Sequence, residues 1–162
     1  MLSGEDVADN IQGMITGVIE DAVHKYTPGH AEEWNLDALR QDFAGVFLGE
    51  DDLKYTDEEK KRLTREQLIE EITQKAAALY RKKEETYGSE FMRELERVVL
   101  LRSVDSHWID QIDAMDDLKQ GIGLRSYAQM DPVVAYRKEG MDMYAAMIDD
   151  IRYETVRMVF LA

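Results

Sequence analysis

The strongest constraint on the fold is a pair of long helix-forming stretches separated by only about eleven residues. The first begins near Ser89 and extends to about Gln120, and the second opens with Asp131 and Pro132, a side-chain cap followed by proline at the first helical position. Two helices joined by so short a connection fold back antiparallel on each other. We therefore predict a helical hairpin whose helices of roughly thirty residues make an arm about 45 Å long.

Both stretches carry apolar residues at alternating three- and four-residue spacings, as helices that pack along their length do. Asp105 is the one polar member of the first series. We expect the two apolar stripes to face each other in the hairpin: Val98, Leu101, Trp108, Ile112, Met115 and Ile122 on the first helix, and Val134, Met141, Tyr144, Ile148, Ile151 and Met158 on the second.

The part of the chain before the hairpin is also predicted to be helical, because residues of high helix propensity dominate it and prolines are few. Thr64 and Gln67 form a capping box, in which a hydroxyl and a side-chain amide cap each other's backbone donors. A loop at residues 49–55 leaves room for a short extended piece. We predict an all-α fold with three helices ahead of the hairpin, from about Ser3 to Tyr26, from Leu36 to Phe47 and from Thr64 to Tyr87.

Net charge and composition exclude several classes of function. Thirty-four acidic against twenty basic residues give a net charge of −14, which repels nucleic-acid phosphates and anionic lipid headgroups, so we expect no nucleic-acid partner. The absence of cysteine excludes disulfides and thiol nucleophiles. No apolar run approaches the roughly 20 residues of a membrane-spanning helix, and the N-terminus has no signal-peptide pattern. We therefore expect a chain that is soluble as it stands.

No residue pattern indicates catalysis or a resident cofactor. The chain has no phosphate-binding Gly-x-x-x-x-Gly-Lys-Ser/Thr sequence, and the glycine pair at residues 121–123 follows a predicted helix instead of a strand. His107 has Asp105, Asp110 and Asp113 nearby, but no second histidine lies at ligand spacing. Charged residues on a long helix usually form its solvated face. We assign no catalytic residue, no metal and no cofactor to this chain.

The connection between the two long helices is the strongest candidate for a binding site. Residues 121–131 combine two glycines with Leu, Arg, Tyr and Met side chains that have no evident helical core to fill. Tyrosine and methionine offer adaptable apolar surface and arginine adds a planar set of donors, which suits binding of polypeptide without recognition of its sequence. The alternative is a turn whose side chains pack back on the hairpin.

Five stretches of the C-terminal half closely resemble the SecA family of preprotein translocase ATPases. The resemblance is strong over about the last 75 residues and looser over the first 85. The family's tip usually reads Leu-Arg-Gly-Tyr-Ala-Gln-Lys-Asp-Pro, so Ser126 replaces a glycine and Met130 a lysine, whereas Arg125 and Tyr127 match. The stretches are RELER (93–97), DSHW (105–108), AMDDLKQGIGLRSYAQMDP (114–132), YRKE (136–139) and MYAAM (143–147).

The resemblance implies a helical wing domain at residues 1–87 and a helical scaffold hairpin, the two-helix finger, at residues 88–162. In that family the finger tip contacts unfolded preprotein at the cytoplasmic mouth of the SecYEG channel during post-translational export, and the hairpin restrains the ATPase. The tip residues that the resemblance assigns to this contact are Leu124, Arg125, Ser126, Tyr127, Gln129 and Met130.

The resemblance also implies that the chain is a non-catalytic fragment of a longer motor. ATP and Mg²⁺ would bind in motor domains that lie outside this chain, and those domains and a long scaffold helix of the same parent protein would be its partners. The parent is expected in the cytoplasm, bound peripherally to the bacterial plasma membrane. The rival interpretation is a stand-alone coiled-coil domain that dimerises through Met141, Tyr144, Ile148, Ile151 and Met158.

Overall fold

The computed structural model describes residues 4–125 and 131–161, which form six α-helices and one short 3-10 turn. In these ranges there is no β-strand, and a single isolated bridge pairs Ala44 with Leu48. The predicted all-α fold is confirmed. The helices are α1 Gly4–Tyr26, α2 Leu36–Asp42, α3 Asp57–Arg62, α4 Arg65–Tyr87, α5 Ser89–Arg125 and α6 Pro132–Leu161, and the 3-10 turn is Ala31–Glu33.

Side-chain caps fix the ends of α4 and the start of α6 where the sequence predicted them. Thr64 Oγ1 accepts from the Gln67 backbone N–H at 3.2 Å, and Gln67 Oε1 accepts from the Thr64 N–H at 3.1 Å. Gly88, at φ 85°, ends α4 in the left-handed region that favours glycine. Asp131 Oδ1 accepts from the Val133 N–H at 3.0 Å, so the predicted cap of α6 is confirmed.

The second helix is shorter than predicted, because α2 ends at Asp42 instead of Phe47. The backbone N–H groups of Val46, Phe47 and Leu48 all donate to the Phe43 carbonyl, at 3.0 to 3.2 Å, and fold residues 43–48 into a compact turn. The large apolar side chains of this turn are buried, so their helix-like spacing in the sequence arises here without a helix. Residues 50–53 also form a turn, so the short extended piece considered for the loop at residues 49–55 is not found.

One helix, α3, was absent from the sequence prediction. Thr56 caps it in the same way that Thr64 caps α4, since Thr56 Oγ1 accepts from the Glu59 N–H at 3.2 Å and the Glu59 carboxylate accepts from the Thr56 N–H at 3.4 Å. None of its residues is buried, so it carries no apolar periodicity. The signals for α3 in the sequence were the capping box and the change from acidic to basic residues along DEEKKR, which complements the helix dipole.

One hydrophobic core contains side chains from both sides of the α4–α5 turn. One apolar face of α1 is buried in it, and α4 contributes Leu68, Ile72 and Tyr80. The Phe160 ring of α6 packs edge-on against Phe47, with ring centroids 4.6 Å apart. The division into residues 1–87 and 88–162 stays a prediction, and the two segments meet in this shared core.

Candidate functional site: the helical hairpin and its base

Helix α5 is longer than the sequence predicted, which shortens the connection at the tip. It runs for 37 residues and ends at Arg125, so the connection begins after residue 125 instead of at residue 121. Glycine costs about 1 kcal/mol in a helix relative to alanine but does not forbid helical dihedrals, so the glycines at 121 and 123 do not end the helix. Of the predicted contact residues, Leu124 and Arg125 have helical backbone, whereas Ser126, Tyr127, Gln129 and Met130 lie outside the described residues.

Helices α5 and α6 pack antiparallel, as predicted for a hairpin. Near the base, Ser103 Oγ donates to Glu154 Oε2 at 3.2 Å, and His107 Nε2 contacts the same oxygen. Farther out, Gly140 lies so close to α5 that a Cβ on it would be 2.9 Å from Cε of Met115. The partner on α6 moves toward the start of that helix as α5 advances, which is the mark of antiparallel packing.

The hairpin is an arm that extends beyond the hydrophobic core. Only the base ends of its helices enter that core, through Met92 and Val99 of α5 and through Val156, Val159 and Phe160 of α6. No described side chain of α5 after Ser103 is buried. At 1.5 Å per residue, the helix continues for about 33 Å from there to its end. The fold therefore places the end of α5 far from the core that anchors the hairpin.

The apolar stripes predicted to join the two helices lie mostly on the exposed surface, so this prediction is wrong. Trp108 is 47% exposed, Ile112 51% and Met141 68%, and only Ile151 of the twelve predicted positions is fully buried among those described. The inner face of α5 instead includes two polar residues, Glu96 and Ser103, between apolar ones. A stripe interrupted in this way has too little apolar periodicity to be recognised from sequence.

The outward-facing apolar side chains of both helices are here called the exposed apolar face. The rings of Trp108 and Tyr144 connect α5 to α6 on this surface, edge-on with centroids 6.3 Å apart. Contiguous exposed apolar surface of this kind marks an interaction site more often than a solvated one. The face consists of Val98, Leu101, Trp108, Ile109 and Ile112 of α5 and Val134, Met141 and Tyr144 of α6.

A buried carboxyl group joins α4 to the base of the hairpin. Glu96 is fully buried; Tyr80 OH donates to its Oε1, and Arg93 Nη2 donates to the same oxygen at 2.9 Å. Arg93 also pairs with Glu84 of α4 at 3.2 Å. Burial raises the pKa of Glu96, with the Tyr80 and Arg93 bonds acting in the opposite direction. Burial and the hydrogen bond to Glu96 raise the pKa of Tyr80 as well.

A second polar cluster joins the base of α6 to the end of α2. Tyr153 OH donates to Asp42 Oδ1 at 2.5 Å, and Tyr26 OH donates to the other carboxylate oxygen at 3.2 Å. Arg157 Nη1 donates to the Asp42 carbonyl at 3.2 Å. Burial and the bond to Asp42 raise the pKa of the Tyr153 hydroxyl. The two clusters attach both hairpin helices to the preceding lobe by directional bonds in addition to apolar packing.

Neither a metal-binding group of side chains nor a membrane-spanning helix is found among the described residues. Within the ranges 4–125 and 131–161, no three His, Asp or Glu side chains are grouped so that they could hold a metal ion. His107, the candidate considered from sequence, instead contacts Glu154 across the hairpin. No helix in those ranges combines the length and apolarity needed to cross a membrane.

Comparison with known proteins gives matches over the whole chain. The family described as "SecA Wing and Scaffold domain" matches residues 1–162. The chain is 40% identical to the protein translocase subunit SecA of Desulforamulus reducens and 43% identical to SecA 1 of Alkaliphilus metalliredigens. Each alignment covers 99% of this chain and 18% of the relative. A further SecA, from Carboxydothermus hydrogenoformans, is 44% identical over 97% of the chain.

Proposed function

Because the chain belongs to the SecA wing and scaffold family, we propose that it acts as the non-catalytic arm of a protein-export motor, and that the hairpin tip contacts unfolded preprotein at the SecYEG channel. The chain spans about a fifth of the length of the SecA relatives it matches. The observation that carries the proposal is the antiparallel hairpin, which extends α5 about 33 Å beyond Ser103, its last buried residue among the described side chains.

The tip acts by contact instead of by chemistry. Leu124 and Arg125 belong to the last turn of α5, and Tyr127 and Met130 follow them in the sequence. Apolar and aromatic side chains of this type hold polypeptide through adaptable packing, with Arg125, Ser126 and Gln129 as hydrogen-bonding groups. A rigid arm transmits displacement of its base to its tip, and the base is fixed by the Glu96 and Asp42 clusters.

The exposed apolar face docks against the parent motor. In the proposed setting the occupant is the long scaffold helix of the same protein, lying along α5 and α6. Large apolar side chains such as Ile109, at 61% exposure, and Met141 are exposed in this segment. The proposal accounts for this, because the scaffold helix would bury them in the whole protein. Through this contact the hairpin also restrains the ATPase, whose ATP and Mg²⁺ bind in the motor domains.

The same face supports a second candidate, self-association of the chain as a coiled coil. Tyr144, Met141 and Met158 are available for such a contact, whereas Ile151 is buried in the hairpin and Ile148 is half-buried. Light scattering of the chain at increasing concentration separates the two candidates. A mass that stays at one chain contradicts dimerisation, and a reversible rise to two chains supports it.

Truncation of the tip aromatic tests the proposed contact. We expect Tyr127→Ala in the whole motor to abolish most translocation while ATP hydrolysis without preprotein remains, because the substitution removes a contact and no catalytic group. Tyr127→Phe, which keeps the ring, should restore most of the transport. Equal translocation by all three proteins would contradict the proposal.

A further inference from the structure

A cleft of about 230 Å³ lies where the end of α4, the turn after α2 and the end of α6 meet. We call it the basic cleft. Its principal lining residues are Val46, Leu79, Lys82, Lys83, Tyr87 and Phe160. It lies at the base of the hairpin, away from the tip and on the opposite end of α6 from the connection.

The floor of the basic cleft is apolar and preformed. Val46 and Phe160 are both buried in the shared core. The Phe160 ring is held edge-on by Phe47, with centroids 4.6 Å apart, and packs against Tyr80 at 6.4 Å. A side chain entering the cleft would therefore meet an aromatic surface that needs no rearrangement to receive it.

Apolar surface continues outward from this floor to the rim. Leu79 is 38% exposed and Tyr87 44% exposed. Tyr87 in turn packs against the exposed ring of Phe91, with centroids 5.5 Å apart. Large apolar side chains gathered around a concave site are characteristic of protein-binding surfaces.

The charge at the rim is entirely positive. Lys82 and Lys83 are the charged residues of the lining, and no carboxylate is among the described lining residues. Lys82 is exposed, whereas Lys83 Nζ lies over the Tyr87 ring, 5.6 Å from its centroid. In a chain with a net charge of −14, a local site with only cations favours an acidic occupant.

We propose that the basic cleft binds an acidic-hydrophobic peptide segment of a partner protein. One large apolar side chain of the partner packs on Phe160, and a neighbouring carboxylate meets the exposed Lys82. The cleft is smaller than the 300–1,000 Å³ typical of small-molecule sites, which suits a single side chain. An anionic lipid surface fits less well, because the site is concave and its apolar floor lies below the rim.

The test is a titration of the isotopically labelled chain, followed by NMR, with a five-residue peptide that has a central phenylalanine and two glutamates on each side. We expect the methyl signals of Val46 and Leu79 to shift first. Peptides with lysine in place of glutamate, or glycine in place of phenylalanine, should bind about tenfold more weakly. Lys82→Glu should weaken binding about as much, and the matched control Lys61→Glu, on an exposed lysine of α3, should leave it unchanged.

Three results would overturn the proposal. The first is the absence of shifts at millimolar peptide, or shifts confined to other surfaces. The second is Lys82-dependent binding to phosphatidylglycerol vesicles without any binding of the acidic peptide. That result would mean that the cleft binds a membrane surface. The third is a dimer, detected by light scattering without peptide and lost in Lys82→Glu, which would make the occupant a second copy of this chain.

Discussion

Glu96 carries a carboxyl group at a fully buried position where the hairpin meets α4. Such positions are ordinarily occupied by apolar side chains. Oε2 of Glu96 has no hydrogen-bond partner within the described residues, while Oε1 receives both Tyr80 and Arg93. A buried carboxylate is costly unless it is fully paired, so this residue stabilises a specific arrangement of α4 and α5 at the expense of total stability. The sequence could not reveal this, because a glutamate on a long helix is most simply interpreted as solvated.

Replacing this carboxyl group should change how stability depends on pH. The folded-state pKa of Glu96 is raised above its ordinary value of 4.5, so the folded state holds the proton more tightly. Stability is therefore lost as pH rises from about 4.5 through the folded-state pKa. We expect Glu96→Gln to gain stability relative to the wild type across that window, as measured by urea unfolding at successive pH values. A constant difference between the two proteins at every pH would contradict this assignment.

At the scale of helices, their positions could be predicted better than their faces. Local signals such as the capping box at Thr64 and the Asp131–Pro132 pair depend only on neighbouring residues, and they predicted where α4 and α6 begin. Which face of α5 and of α6 packs inward could not be predicted. Each helix carries two series of apolar residues, and the more regular series is exposed to solvent. The connection also begins later than predicted, because α5 continues through the glycines at 121 and 123.

The two capping boxes should differ in their effect on stability. Helix α4 buries Leu68 and Ile72 in the core, whereas no residue of α3 is buried. Thr64→Ala should therefore lower the free energy of unfolding by about 1 kcal/mol. Thr56→Ala should cost less, because loss of α3 uncovers little apolar surface. Urea denaturation of both variants measures this, and a larger loss for Thr56→Ala would show that α3 contributes to the core in a way the contacts do not indicate.

At the scale of the whole molecule, one shared core anchors a long arm whose apolar face is uncovered. The core holds Phe47 and Tyr80 from the preceding lobe together with Phe160 of α6, so the arm cannot tilt at its base without disturbing that lobe. This coupling was not evident from the sequence, where the two segments were predicted as separate domains. It follows from long-range contacts that no local pattern encodes.

The uncovered face should become protected in the whole motor. The chain has no cysteine, so a single thiol can be placed at will. We expect Ile109→Cys to react rapidly with a maleimide in this chain and at least about tenfold more slowly in a parent motor whose own cysteines have been replaced. Glu58→Cys, on the exposed surface of α3, is the control and should react at similar rates in both. Equal labelling of Ile109→Cys in chain and motor would mean that no helix covers this face.

The most direct test of the central claim is a cross-link from the hairpin tip during transport. Tyr127→Cys would be placed in the same cysteine-free motor, and a preprotein would be stalled during translocation through SecYEG. The account predicts ATP-dependent cross-links to both preprotein and channel, absent when the cysteine is at Glu58 instead. Intact translocation without cross-links from position 127 would contradict it, and would leave the hairpin as a scaffold whose tip makes no contact with the moving chain.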